Sequence, residues 1–262
     1  SAALFAALGG KYQRSVSLSE SWATDGYVRM TIEAFREFGH RVEVADERLT
    51  VSRVSTEKPG YVRVESDLSS AAYAGALAVL TGGVTRLKDI PSSSQQPDLR
   101  FFQVLTEFGA QITYTDSTVT VKGPTRLRGG FTIDMHRMAD QALTVGVLAI
   151  FADAPVSVIG VARTRGHESD RISALADCLD RMGVKVDVAA DSFTVQPAVP
   201  RPAKIDSWND HRVAMSMSLC AALVPGLQIT DVACVAKSHP DFFAMLREAG
   251  FATRHYRQIR GT

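Results

Sequence analysis

The chain has 262 residues, 45% of them hydrophobic and 22% charged, with a formal net charge of +1. It is long enough for one large domain or two modest ones and has the make-up of an ordinary globular protein. That charge excludes a global polycation for nucleic acid, and the longest apolar runs, such as residues 145–151, are far too short to span a bilayer.

The chain opens Ser1-Ala2-Ala3-Leu4-Phe5, without Met and without the layout of a signal peptide. It reads as a helix entered partway through a longer protein. Apolar periodicity predicts a helix over 30–38 that stops at Gly39, then a strand over 41–45, a polar turn and a strand over 49–51. Ser55-Thr56-Glu57-Lys58-Pro59-Gly60 is a turn-rich break. A strand is expected over 61–65, and Ser66-Asp67 precedes the next helix, over 70–80. A domain crossing is placed near residue 66, which divides the chain into 1–66 and 67–262.

Helix 101–108 stops at Gly109 and leads into strands 111–115 and 118–122 across Asp116-Ser117. Helix 141–151 follows. Helix 172–182 stops at Gly183 before strands 184–188 and 192–195, helix 213–223 comes next, and helix 242–249 stops at Gly250. Glycine suits the left-handed residue that ends a helix, and period-two alternation across a polar turn marks a hairpin with one buried face. Repeated units of this kind bury their apolar faces against one another. The expected fold is therefore α+β, built from repeated βαβαββ-like units. About seven helices are layered against several sheets, unlike a single doubly wound sheet. Cys178, Cys220 and Cys234 are widely spaced and lack metal-ligand spacing. They read as buried free thiols of a reducing cytoplasm.

Charge gathers at the predicted helix starts. The sites are Arg165-Gly166-His167-Glu168-Ser169-Asp170-Arg171, Asp210-His211-Arg212, Lys237 ahead of Pro240, and Asp140 in Met138-Ala139-Asp140-Gln141. A helix start presents unpaired N–H groups and the positive end of the macrodipole. Two arginines and a lysine there concentrate an anion site, and Asp140 and Glu168 add proton chemistry. The pattern points to phosphorylated, carboxylated small molecules. Ordinary readings stand beside it: Ser169 as a cap with Arg171 solvated, Asp210 and Asp140 as caps, His239 or Ser238 capping a helix that opens at Pro240, and Gln96 as plain loop. Capping does not explain Arg212, a cation in a first helical turn. Either Asp210 or a bound anion offsets it. The recurrence of such groups in successive repeats argues against coincidence.

These motifs resemble the late motifs of the EPSP synthase (3-phosphoshikimate 1-carboxyvinyltransferase) family. Asp67-Leu68-Ser69-Ser70-Ala71, Gln96-Pro97-Asp98-Leu99-Arg100-Phe101 and residues 134–140 support the match in order. The resemblance covers the second half to two thirds of such an enzyme. It implies two domains, each an inside-out α/β barrel of repeated βαβαββ units that close over a cleft. It also implies transfer of the enolpyruvyl group of phosphoenolpyruvate to the 5-hydroxyl of shikimate 3-phosphate, with release of phosphate. Asp140 then matches the carboxylate that contacts the shikimate hydroxyls and takes a proton, and Glu168 the acid that protonates the methylene carbon. Lys237 matches a cation beside the reacting phosphoenolpyruvate, and Arg171 and Arg212 its clamps. His167, Tyr27, Thr24, Ser1, Gln96 and Arg165 complete the set expected to bind substrate. The resemblance implies no metal or organic cofactor, no nucleic-acid or membrane partner, a cytoplasmic setting and a monomer when full length.

There are departures from the family pattern. His167 stands where many members carry Lys, and Thr24 where Ser is common. Ser1-Ala2-Ala3 stands where Ser-Ser-Gln binds the shikimate phosphate and ring. The family's early Lys-Ser and Arg residues have no counterpart in these 262 residues, so the site is expected to need upstream sequence. Two alternatives follow: a non-catalytic or partner-dependent binding protein derived from this fold, and an enolpyruvyl transferase for another acceptor alcohol.

Overall fold

The computed structural model describes residues 1–9, 14–17, 26–45, 48–52, 54 and 60–254. In its first part, helices α1 (Ala2–Leu8) and α2 (Gly26–Glu37) pack on an antiparallel sheet of β1 (Arg14–Ser17), β2 (Arg41–Ala45) and β3 (Arg48–Ser52), in the order β1-β3-β2. Its core is Leu4, Ala7, Ile32, Phe35, Val42, Leu49 and Val51. Ile32 and Phe35 lie one turn apart on α2, as an amphipathic helix requires.

The second part repeats one plan. α3 (Leu68–Thr81), β4 (Val84–Lys88), α4 (Phe101–Glu107) and the hairpin β5 (Gln111–Tyr114) and β6 (Thr118–Lys122) form the first copy. β7 (Phe131–Asp134), α5 (Ala142–Ile150), β8 (Val156–Ile159), α6 (Arg171–Arg181), β9 (Val186–Val188) and β10 (Ser192–Val195) form a complete βαβαββ unit. β11 (Lys204–Asp206), α7 (His211–Ala221), β12 (Gln228–Thr230) and α8 (Phe242–Glu248) follow. The sheets are β4-β6-β5, antiparallel throughout; β7-β8-β10-β9, with β7 parallel to β8; and the parallel pair β11-β12.

α3, α5 and α7 touch one another at the centre. All nine residues of α5 and ten of the eleven of α7 are buried, so these helices have no solvent face and are apolar nearly all round. A buried polar thread ties them: Gln141 Nε2 donates to Ser69 O at 3.1 Å, Thr144 Oγ1 to Gln141 Oε1 at 3.1 Å, and Thr144 Oγ1 lies 3.2 Å from Ser216 Oγ. Among the described residues no helix is long and apolar enough to cross a membrane.

The repeated units and the glycine stops stand as expected; Gly109 and Gly183 end their helices at φ +100° and +77°. Cys178 and Cys220 are buried free thiols whose pKa burial pushes up to about 12. Residues 61–65 are not a strand. Tyr61 and Val64 are mostly exposed, and among the described residues no strand pairs with the segment. The segment is instead fastened at its end, where Ser66 N and Oγ donate to Asp89 O and Lys88 O, both at 2.9 Å.

Candidate active site

The helix starts converge. Asp210 caps α7: its side chain accepts from Arg212 N at 2.8 Å. Asp170, not Ser169, caps α6, accepting from Ser173 N at 3.1 Å. Ser169 Oγ donates to Asp210 Oδ2 at 3.0 Å instead. Asp140 lies in a 3-10 turn, Ala139–Gln141, and caps nothing, which leaves its carboxylate for other partners. Lys237 ends another 3-10 turn, Val232–Lys237, and α8 begins only at Phe242 after Asp241, so neither His239 nor Ser238 is its cap. The loop before α7 holds Trp208 and Asn209 in the left-handed region, at φ +56° and +49°, a strained arrangement typical of functional sites. Asp206 Oδ1 accepts Trp208 N at 2.6 Å and Ser207 Oγ accepts Asn209 N at 3.2 Å, which holds that loop in place.

Arg171, only 2% exposed, is the hub. Its Nε donates to Asp210 Oδ2 at 2.9 Å, Nη1 to Asp140 Oδ1 at 2.8 Å and Nη2 to Glu168 Oε2 at 2.9 Å. His167 Nδ1 lies 3.0 Å from Nη1. One guanidinium therefore serves three carboxylates from three segments, the bidentate-capable fork being what makes this possible. Lys237 Nζ donates to the other Glu168 oxygen, Oε1. Buried Arg212 reaches Tyr73 Oη at 3.3 Å and Asp140 Oδ2 at 3.5 Å, and its Nε has no partner among the described residues.

The electrostatics follow from these contacts. The Lys237 bond, with Arg171 behind it, outweighs partial burial and holds the Glu168 carboxyl down to about 2. Burial works to raise Asp210, but its bond to Arg171 prevails and holds it below the ordinary carboxylate range. Burial, with Arg212 beside it, pushes His211 below the usual imidazole value. Asp140, His167, Glu168, Arg171 and His211 line an open cavity of about 520 Å³. Lys237, bonded to Glu168, and Arg212, bonded to Asp140, each touch a residue of its wall. Glu168, Asp210 and His211 place ligand atoms within 4.8 Å of one another. Both carboxylates are already bonded to Arg171.

Of the residues singled out from sequence, Asp140, His167, Glu168, Arg171, Arg212 and Lys237 come together. Arg165, Gln96 and Ser1 have other partners, whereas Tyr27 stands close enough to Asp140 and Arg212 to feel their charges. Arg165 braces its own loop, donating to Asp170 Oδ2 at 2.8 Å, Ala189 O at 2.7 Å and Ala190 O at 3.0 Å. Gln96 spends its amide on Leu68 N, Glu65 Oε1 and Ser66 O, each at 2.8 Å. Ser1 Oγ sits 2.6 Å from Thr31 Oγ1. Tyr27 Oη donates to Asp98 Oδ2 at 3.2 Å, and burial first, then Asp98, raises its pKa. Thr24 lies outside the described residues.

Sequence reasoning missed Tyr73 and Asp98. Tyr73 looks like one more apolar residue of α3, and only a buried hydroxyl's need for a partner hints at more. Asp98, 1% exposed, also accepts Ser69 Oγ at 2.8 Å, and its Oδ1 has no partner among the described residues.

The family model for EPSP synthase (3-phosphoshikimate 1-carboxyvinyltransferase) matches residues 1–246. Among curated relatives, 3-phosphoshikimate 1-carboxyvinyltransferase 2 of Halalkalibacterium halodurans is 38% identical over 245 residues, 92% of this chain and 55% of that protein. The 3-phosphoshikimate 1-carboxyvinyltransferase of Nostoc punctiforme is 35% identical over 218 residues, 83% of this chain and 51% of that protein. The chain thus spans about half the length of the curated relatives it matches. Among solved structures, EPSP synthase from Acinetobacter baumannii superposes with a TM-score of 0.75 at 23% identity, covering 95% of this chain and 59% of that one. The enolpyruvyl transferase NikO from Streptomyces tendae superposes with a TM-score of 0.72 at 20% identity, covering 93% and 57%. At such identities these two show a shared fold.

Proposed function

Since the chain belongs to the EPSP synthase (3-phosphoshikimate 1-carboxyvinyltransferase) family, we propose that it carries one wall of a site for enolpyruvyl transfer from phosphoenolpyruvate to the 5-hydroxyl of shikimate 3-phosphate. The observation that supports this best is Glu168 held between Lys237 and Arg171 at the mouth of a cavity. In that state Glu168 is an ionised carboxylate and a poor acid. An entering phosphoenolpyruvate offers a carboxylate and a phosphate that compete for the same cations. As Lys237 and Arg171 turn to the ligand, the Glu168 carboxyl loses its neighbours and its pKa climbs toward the range in which it can hold a proton. The substrate itself thereby arms the acid.

Asp140 takes the proton of the acceptor hydroxyl while that oxygen bonds to the central carbon of phosphoenolpyruvate. Glu168 delivers its proton to the methylene carbon, giving a tetrahedral adduct. The carbon–oxygen bond to phosphate then breaks, the departing phosphate takes the proton held by Asp140, and one methyl proton returns to Glu168, restoring the double bond. Arg212, with the start of α7 beside it, stabilises the anionic groups throughout. His167 and Arg171 bear on Asp140 and hold it in place, and Tyr27 is assigned to the acceptor side. Gln96 and Arg165 act through the backbone they brace.

The same reading divides the protein near residue 66, gives residues 67–262 the barrel-like arrangement of its family, and sets the molecule as a cytoplasmic monomer. A different acceptor alcohol is the second reading. It draws on Ala2 and Ala3, whose side chains offer no polar group, and on Ser1, whose hydroxyl faces Thr31.

A coupled phosphate-release assay with phosphoenolpyruvate and shikimate 3-phosphate tests the proposal on the full gene product. Turnover that Glu168→Ala and Arg212→Ala each lower by about a hundredfold or more upholds it. Turnover untouched by either substitution overturns it. Phosphoenolpyruvate binding without turnover of shikimate 3-phosphate moves the assignment to another acceptor.

A further inference from the structure

Asp98 is a buried carboxylate with no step of its own in the transfer. It lies in the 3-10 turn Pro97–Arg100 ahead of α4 and is only 1% exposed. Two hydroxyls donate to one of its oxygens: Ser69 Oγ to Oδ2 at 2.8 Å and Tyr27 Oη to Oδ2 at 3.2 Å. Oδ1 has no partner, and among the described residues no cation is bonded to Asp98. Arg212 donates to Tyr73 and Asp140 instead and bears on Asp98 through its charge. Burial pushes the Asp98 carboxyl above its ordinary value, and the Ser69 bond and Arg212 offset that only in part.

A buried carboxylate without a bonded cation is costly. An asparagine accepts the same two hydroxyls at lower cost, so packing alone does not call for an acid here. Groups that weaken a fold in this way gather at functional sites. Tyr27 comes from α2 of the first part and Ser69 from the first turn of α3 in the second. Ser69 O in turn accepts Gln141 Nε2 at 3.1 Å, one residue from Asp140. Tyr27 also feels the charges of Asp140 and Arg212. It keeps 40% of its surface exposed where Asp98 keeps 1%, so a ligand meets the tyrosine and not the acid. A charge-assisted hydrogen bond is about twice as strong as a neutral one, which suits a carboxylate to pinning a phenol carried by a different part of the fold.

We propose that Asp98 is a positioning residue for the acceptor substrate: it pins the Tyr27 hydroxyl to the start of α3, near Asp140. This role rests on the transferase reading, which assigns Tyr27 to the acceptor side.

Steady-state kinetics of the full gene product, with phosphoenolpyruvate and shikimate 3-phosphate varied in turn, test it. Asp98→Ala is expected to raise the KM for shikimate 3-phosphate about tenfold, the loss of one charge-assisted bond, and to leave that for phosphoenolpyruvate within about twofold. Tyr27→Phe has the same signature, and the double variant is no worse than Asp98→Ala, because both changes remove one contact. Asp98→Asn keeps an oxygen for both hydroxyls. Its KM for shikimate 3-phosphate falls between wild type and Asp98→Ala, and its melting temperature equals or exceeds that of the wild type. The proposal is overturned if both KM values rise together, if neither rises, or if the effects of Asp98→Ala and Tyr27→Phe multiply. A melting temperature lowered in Asp98→Asn, with KM values that do not separate, marks a structural task and overturns it as well. Absence of turnover in the wild type overturns the transferase reading and this role with it, whereas turnover without the selective KM change overturns this role alone.

Discussion

Glu168 reports how firmly its two cations hold it. Its carboxyl lies at about 2 against an ordinary 4.5, chiefly through the Lys237 bond. A folded-state pKa below the unfolded one stabilises the fold above the unfolded value, and that contribution is lost as pH falls through the folded one. The window is therefore about pH 4.5 down to about 2. In Lys237→Ala the Glu168 carboxyl is expected to titrate nearer 4.5, as followed by carbon NMR of the side chain. The stability gap between variant and wild type is expected to be constant above pH 5 and to fade across that window. A carboxyl that still titrates near 2 in the variant assigns the depression to Arg171 and the backbone. At Asp210 the stakes are higher, because the side chain is fully buried and both caps α7 and holds Arg171. Asp210→Ala strands a buried guanidinium and is expected to cost about 3–5 kcal/mol in chemical denaturation. A loss below about 1 kcal/mol means that Asp140 and Glu168 suffice for Arg171.

The elements hold these groups through local rules that steric fit then sharpens. Asp67 caps α3 by accepting Ser69 N at 3.0 Å, so Asp67→Ala is expected to cost about 1 kcal/mol, read as a lower melting temperature. Gly146 is where α5 meets α6. A methyl group there comes within 2.6 Å of Leu175 Cδ2, and Gly146→Ala is expected to cost about 1–3 kcal/mol despite alanine's better helix propensity. A stabilised variant would show that Leu175 has a free rotamer to move into. Most helices and hairpins were legible in the letters because periodicity and glycine stops act over a few residues. Residues 61–65 alternate like a strand but find no partner, since alternation signals a face and not a ladder. Ser169 reads as a good cap, yet Asp170 takes the place one residue on and frees the serine for Asp210.

Across the whole molecule, the bond from Tyr27 to Asp98 links the two parts over 71 residues of sequence. Tyr27→Phe removes that bond and leaves both cores packed. Hydrogen exchange is expected to rise at the amides of residues 60–67, which connect the cores, and to stay low in α5 and α7. Unchanged exchange in the connector shows that the two parts stay together without this bond. The letters alone set the repeated units, the glycine stops, the central apolar helices and the kinds of charged group that the helix starts carry. Those properties follow from neighbours within a turn or two. Folding settles the rest: Arg171 is shared among Asp140, Glu168 and Asp210, Arg212 meets Tyr73 across 139 residues, and Gln96 and Arg165 brace backbone. A side chain's chemistry is written in its letter. Its partners depend on distances that only packing of remote segments sets.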